Sequence, residues 1–284
     1  MSQIDWAAVA ANEYAVPEEL NPVDAIPELL DMLASPDPIV RDEQAYTILA
    51  VWLGAGHFDA VLGELGEQTA KLLSAPDVLT RSFSAVILGE ALNRDTILSR
   101  QRSQESQLAF RSPQQASALA AWQAWYPHEP DVRSCEDGIG WIHAVAHGAD
   151  TALALALHPQ TDAAQLRLIL ETLTERLRTL PLYLSQTEDD RLALAILAAL
   201  SRPELSVTEF SAWLADYQTL WTSLQPGLIP PGAALAVQTL HSLHTLLHLG
   251  ATINRAPLRP AHPTETLELV QDALRSVYPY YGSV

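Results

Sequence analysis

Cysteine is nearly absent from this chain: Cys135 is the only one in 284 residues. That excludes a disulfide framework and any cysteine-rich zinc module. Positive charge is scarce as well, with 16 Lys and Arg against 34 Asp and Glu and a formal net charge of −18. A protein that neutralises phosphates needs a basic face, so nucleic acid is not an expected partner. An anionic membrane surface would repel the chain for the same reason. The longest apolar run, Leu192–Leu200, is far shorter than the ~20 residues of a membrane span. The first residues, MSQIDWAAVAANEYAVPEEL, lack the basic start and apolar centre of a secretory signal, which makes the cytoplasm the expected compartment and keeps Cys135 reduced. Neither a convincing alternating strand nor an Asn-Gly hairpin signal is found. Common catalytic signatures are also missing: there is no Gly-x-Ser-x-Gly elbow, no phosphate-binding Walker loop, no Gly-x-Gly-x-x-Gly after a strand, and no Glu-x-x-His pair of a di-iron bundle.

What is present is helical. Hydrophobic residues make up 48% of the chain and charged ones 18%, enough for a sizeable core and unlike a disordered sequence. Apolar positions recur at helical spacing, as in the stripe Ile26, Leu29, Leu30 and Leu33. Proline and glycine punctuate the periodic segments at 36–38, 127–130, 226–231 and 257–263. Residues 100–115 are polar and read as a loop or an exposed helix start.

One self-match stands out. Residues 32–41 align without gaps on residues 72–81, so that Leu33, Pro36, Asp37 and Arg41 recur as Leu73, Pro76, Asp77 and Arg81, and Ala45 as Ala85. The mechanical reading is a helix end, a Pro-Asp turn, and an aspartate capping the next helix. The arginine one turn later is placed to reach the aspartate of its own or a neighbouring repeat. The spacing and the Pro-Asp-x-x-x-Arg feature resemble HEAT or armadillo repeats. The expected fold is therefore all-α: stacked helical hairpins forming a HEAT/armadillo-like α-α superhelix. An αα-hairpin used twice in an ordinary helical domain is the alternative. The chain divides near residue 127, into N-terminal helical repeats (1–126) and a C-terminal helical region (127–284), read as one continuous domain.

The segment from Gly140 to His158 contains no Lys, Arg or Glu. On one continuous helix its His143, His147, Asp150 and His158 would form a polar stripe ~80° wide on an otherwise apolar rod. Such a rod is expected to be buried, and its polar side must then be satisfied internally or line a cavity. Two readings compete. In one, His143 and His147, spaced i, i+4, bind a divalent metal such as zinc or manganese, with Asp150 as third ligand or as the carboxylate orienting an imidazole. In the other, the same groups form a satisfied network or hold an organic ligand. A zincin-type protease is disfavoured because Ala144 occupies the position of the general-base glutamate.

Glu188, Asp189 and Asp190 open the next helix. Thr187 with Asp190 reads as a capping box, and acids favour a helix N-terminus, while Glu188 or Asp189 is a candidate for the histidine pocket. Asp42 and Glu43 begin a helix in the same way. His241, His244 and His248 form a second set at i, i+3, i+7 without a carboxylate in the run. Cys135 reads as an inert thiol, and Trp122, Trp125 and Tyr126 as core or a pocket wall.

Four strings occur in order: Asp42-Glu-Gln-Ala-Tyr46, Arg81-Ser-Phe-Ser84, Gly140-Trp-Ile-His-Ala-Val-Ala-His-Gly-Ala-Asp150 and Glu188-Asp-Asp-Arg191. Together they are similar to the bacterial family known as domain of unknown function 2785, from about Leu29 to Leu214. The chain departs from it at Arg133-Ser134, where the family tends to carry Arg-Gly. The resemblance implies no activity. It does imply that Asp42, Glu43, Arg81, His143, His147 and Asp150 meet in one place, together with Glu188 and Asp189. The expected function is a cytoplasmic binding protein whose polar pocket takes a protein or small-molecule partner. The alternative is a metal-dependent hydrolase using His143, His147 and a carboxylate.

Overall fold

The computed structural model describes residues 4–102, 109–225, 227–278 and 280–281. Residues 103–108 of the polar stretch and Pro226 lie outside the described residues. The chain is mostly helical, with twelve α-helices among the described residues. The first are α1 (Trp6–Ala11), α2 (Pro22–Met32), α3 (Thr47–Ala55), α4 (Leu62–Leu72), α5 (Val78–Arg102) and α6 (Ser112–Trp125). After a long connection come α7 (Ala144–Leu157), α8 (Ala163–Arg178), α9 (Glu188–Leu200), α10 (Val207–Thr222), α11 (Pro231–Leu249) and α12 (Pro263–Val277). Residues Ile39–Tyr46 form an eight-residue π-helical stretch that runs into α3. No single described helix is long and apolar enough to cross a membrane.

Local chemistry explains the element starts. Asn21 accepts from the Val23 N–H and Pro22 occupies the first turn of α2, whose Ile26, Leu29 and Leu30 are buried, as is Leu33 just beyond it. Helices α8 and α10 open on reciprocal capping boxes, Asp162 with Gln165 and Ser206 with Glu209. The duplicated Pro-Asp turn is real in three dimensions. Asp37 Oδ1 accepts from the Ile39 N–H at 2.9 Å and Asp77 Oδ1 from the Thr80 N–H at 2.7 Å. The two arginines, however, do not bind these aspartates. Arg41 Nη1 donates to Ser35 O at 2.9 Å and Arg81 Nη1 to Ala75 O at 2.8 Å, in both cases six residues back. These carbonyls lie in the turn just beyond the preceding helix, and the folded-back guanidinium supplies their partner.

Packing arranges α5, α7, α9 and α11 as a row, each against the next, with α4 against α5 and α6, α10 against α8 and α12, and α8 against α11. One apolar cluster runs from Trp6 to Leu274. Helix α7 sits in the middle and is buried on almost every side, as its alanine-rich sequence requires. Helices α5 and α7 approach closely at Gly89, where a Cβ would lie 3.4 Å from Thr151 Cα, in ordinary contact, and Thr151 Oγ1 donates to Ala85 O at 2.8 Å.

Two short antiparallel hairpins depart from the all-helical expectation. In the first, β1 (Cys135–Glu136) pairs with β2 (Gly140–Trp141). In the second, β3 (Ala251–Ile253) pairs with β4 (Ala256–Leu258). Their turns explain them. Gly138 takes φ 80° in the first, and Asn254 and Arg255 take φ 51° and 63° in the second, a primed turn built without glycine. Both ends of the long connection after α6 are held by the duplicated arginines. Arg81 grips Glu129 through two bonds at 2.6 and 2.7 Å, and Arg41 Nη2 donates to Ile139 O at 2.7 Å.

Candidate functional site

A cleft of about 520 Å³ opens where the π-helical stretch, the second and third turns of α5, the start of α7 and the loop before α9 converge. Its histidines do not lie on one helix. His143 precedes α7 in the left-handed conformation, φ 51° and ψ 29°, and its ring meets that of His147 edge-on, 5.7 Å between centroids. The His143 ring stacks on Trp141 at 4.8 Å between centroids. Its Nε2 lies 3.0 Å from Gln186 O and 3.3 Å from Glu188 Oε1. A carbonyl oxygen only accepts, so Nε2 carries the proton.

Glu188 sits behind His143, almost fully buried. It accepts from the Ser134 hydroxyl and, at 2.7 Å, from the Gln186 N–H. Burial pushes its carboxyl up, but the bonds from His143, Ser134 and the backbone outweigh that and bring it down to about 2. The capping box expected between Thr187 and Asp190 is not formed. Thr187 is left-handed (φ 65°) and makes no side-chain cap, because Glu188 itself reaches back to the loop.

His147 is fixed from α5. Ser82 Oγ donates its single proton to Ile142 O and lies 2.8 Å from His147 Nδ1. With that proton committed, the 2.8 Å contact requires a proton on Nδ1. His147 is therefore the Nδ1–H tautomer, and Nε2 keeps a lone pair with no protein partner among the described residues. Burial, then the charges of His143 and Arg191, push its pKa down to about 3, so the ring is neutral near pH 7. Phe83 meets it edge-on at 5.0 Å.

Asp150, one turn further along α7, accepts from Arg191 Nη1 at 2.6 Å. Burial raises the Asp150 carboxyl despite that cation. Opposite stand Asp42, Glu43 and Tyr46 on the π-helical stretch, a geometry often found at functional positions. Burial raises both Asp42 and Tyr46, the latter to about 12.

Of the candidates from sequence, Asp42, Glu43, His143, His147 and Asp150 line this cleft, with Glu188 directly behind His143. Arg81 and Asp189 do not. Arg81 is drawn to Glu129, a buried carboxylate that also accepts from Trp125 Nε1. Asp189 faces the other way and accepts from Ser242 Oγ on α11 at 2.8 Å. His158 leaves the stripe because α7 ends at Leu157. Its Nε2 lies 3.3 Å from Asp95 Oδ2, fully buried at the far end of the helix. Phe83, Trp141 and Arg191 also line the cleft, and Ser82 holds His147 from behind it, although none is a candidate from sequence. The unpaired charge of Asp150 on an apolar helix is the sequence signal that points to a cation such as Arg191.

Nε2 of His143, Nδ1 of His147 and Asp150 each face another protein group, and among the described residues no three His, Cys, Asp or Glu side chains are grouped to hold an ion. In the second set, His244 and His248 approach each other, Nε2 to Nε2 at 3.1 Å, while His241 turns to Tyr281. Cys135 is exposed, and Trp122, Trp125 and Tyr126 are core.

The structure defines a helical protein with a polar, aromatic-walled cleft. Residues 71–247 match the family model described as "Protein of unknown function (DUF2785)", and the chain belongs to that family. No curated protein and no solved structure matches it.

Proposed function

We propose that this protein is a binding protein and that the cleft around His143, His147 and Asp150 takes a small organic ligand or the side chain of a partner. The observation that carries this reading is the His147 Nε2 lone pair. A neutral imidazole has been locked by Ser82 into one tautomer, with its acceptor left unmatched by protein at the wall of a cleft of about 520 Å³. Pockets of this size with a few convergent polar groups are where ligands bind. Trp141, 45% exposed, adds an aromatic surface at the mouth.

The helices that carry the site are read as stacked hairpins in a curved α-α array. The row α5, α7, α9, α11 and the duplicated Pro-Asp turn support that reading. The cleft then lies where successive pairs present their helix starts.

The test is a thermal-shift screen of the intact protein against a chemically mixed fragment set. It is repeated on His147→Asn, which keeps a donor to Ser82 but removes Nε2, and on Trp141→Ala. Fragments that stabilise the parent and neither variant support the reading. Hits that bind both variants unchanged, or no hits at all, overturn it.

A further inference from the structure

The cleft has a rear extension. A second cavity of about 290 Å³ shares Tyr46, Val86, Asp150 and Arg191 with it and continues to Glu90 on α5 and Asn254 in the β3–β4 turn. The charges along this combined groove are unbalanced. Its two guanidinium groups are committed: Arg191 to Asp150, and Arg41, behind the wall, to Asp42, Ser35 O and Ile139 O. Glu43 at the front and Glu90 at the back form no ion pair and no hydrogen bond among the described residues. Glu90 is half-buried, with Asp150 as its charged neighbour.

Among the described residues, then, Glu90 and Asp150 share the rear cavity, and the cation on its lining, Arg191, already serves Asp150. A half-buried carboxylate without a partner is costly, and a bound positive charge is what would relieve it. The front compartment contributes the complementary surface. Tyr46 lines both compartments as an aromatic wall; Phe83 already carries the Arg41 guanidinium over its ring at 5.0 Å and Trp141 stacks on His143, so they add apolar surface, and the His147 lone pair accepts an N–H.

Resting on the binding reading above, we infer that the ligand is an organic cation, an amine or a guanidinium, with its charge seated between Glu90 and Asp150 and its carbon skeleton against Tyr46 and Phe83. Burial raises both carboxyls, Glu90 also through Asp150. A cation between them would reverse part of that shift and release protons on binding.

The test compares matched probes on the full chain by calorimetry: benzylamine and agmatine against benzyl alcohol, benzoate and phenyl phosphate. Binding by the two cations, weakened by added salt and reduced about tenfold or more in Glu90→Gln, is the expected result. Glu90 holds no structural bond, so the variant is expected to fold, and circular dichroism checks that it does. Cation binding unchanged in Glu90→Gln overturns the inference. Preference for benzoate, phenyl phosphate or the alcohol at a His147-dependent site overturns it too, but leaves the binding reading standing. Failure of all five probes, together with an empty fragment screen, removes both.

Discussion

Arg191 Nη1 reaches across from α9 to Asp150 Oδ2 on α7 at 2.6 Å, and both partners line the two compartments of the groove. The partners are unequally exposed, at 23% for Asp150 and 44% for Arg191. Losing the arginine strands the more buried group.

Arg191→Met is expected to cost about 1–2 kcal/mol, the partial exposure keeping it below a fully buried pair. Asp150→Asn is expected to cost less than about 1 kcal/mol, because a neutral amide beside Glu90 needs no counter-charge. The Arg191→Met defect should shrink as pH falls from 7 towards 4. The Asp150 carboxyl is already raised, and without its cation the folded state takes up the proton before the unfolded chain does. Urea unfolding at several pH values checks both the order and the slope.

His147 sets an acid limit of the opposite sign. Its pKa is about 3 when folded, against 6.5 ordinarily. The stability contributed by the neutral ring is complete above pH 6.5 and falls as pH drops towards 3, by about 1.4 kcal/mol per pH unit at most. His147→Asn should lose less stability than the parent between pH 6.5 and 4. Parallel urea midpoints across that range would contradict the assignment.

Glu129 is 2% exposed and depends on Arg81. Arg81→Met should destabilise by about 3–5 kcal/mol by leaving that carboxylate uncompensated. Arg81→Met with Glu129→Gln should recover part of that, since the neutral amide needs no counter-charge and its one oxygen still accepts one of the two remaining bonds, from Trp125 Nε1 or from the Asp131 N–H. Thermal and chemical unfolding of the single and double variants decide the matter.

Three glycines separate packing from propensity. A Cβ on Gly232 would sit 1.8 Å from Leu177 O, and one on Gly148 2.1 Å from the Tyr126 ring, while Gly54 meets nothing within 4 Å. Gly54→Ala is expected to stabilise by up to about 1 kcal/mol, as an exposed helical glycine. Gly148→Ala should cost about 1–3 kcal/mol. Gly232→Ala should cost the most, because backbone cannot rotate aside as a ring can. Melting temperatures in that order would bear this out.

Much of the frame could be read from the residues alone. The stripe at Ile26, Leu29, Leu30 and Leu33 is buried, the Pro-Asp turns cap as their chemistry dictates, and α7 is enclosed because it is apolar nearly all round. What escaped were features set by long-range partners. Nothing local says that Arg81 will find Glu129 48 residues away, or that Glu188 will reach back and displace the Thr187 cap. Helical periodicity could not show that His143 is left-handed, since periodicity assumes the helix has already begun. The β3–β4 turn was hidden because Asn254 and Arg255 adopt positive φ without a glycine to mark it.

The mooring of the long connection at Glu129 and Ile139 has a consequence for any excised version of this protein. A chain trimmed to residues 71–247, the span of the family match, would keep both imidazoles and Asp150. It would forfeit Asp42, Glu43 and Tyr46, and with Arg41 one of the two tethers on the hairpin that delivers Trp141. Such a fragment presents half a bowl with a loose rim, and the outer border of the functional unit therefore lies upstream of the Ser35 carbonyl that Arg41 holds.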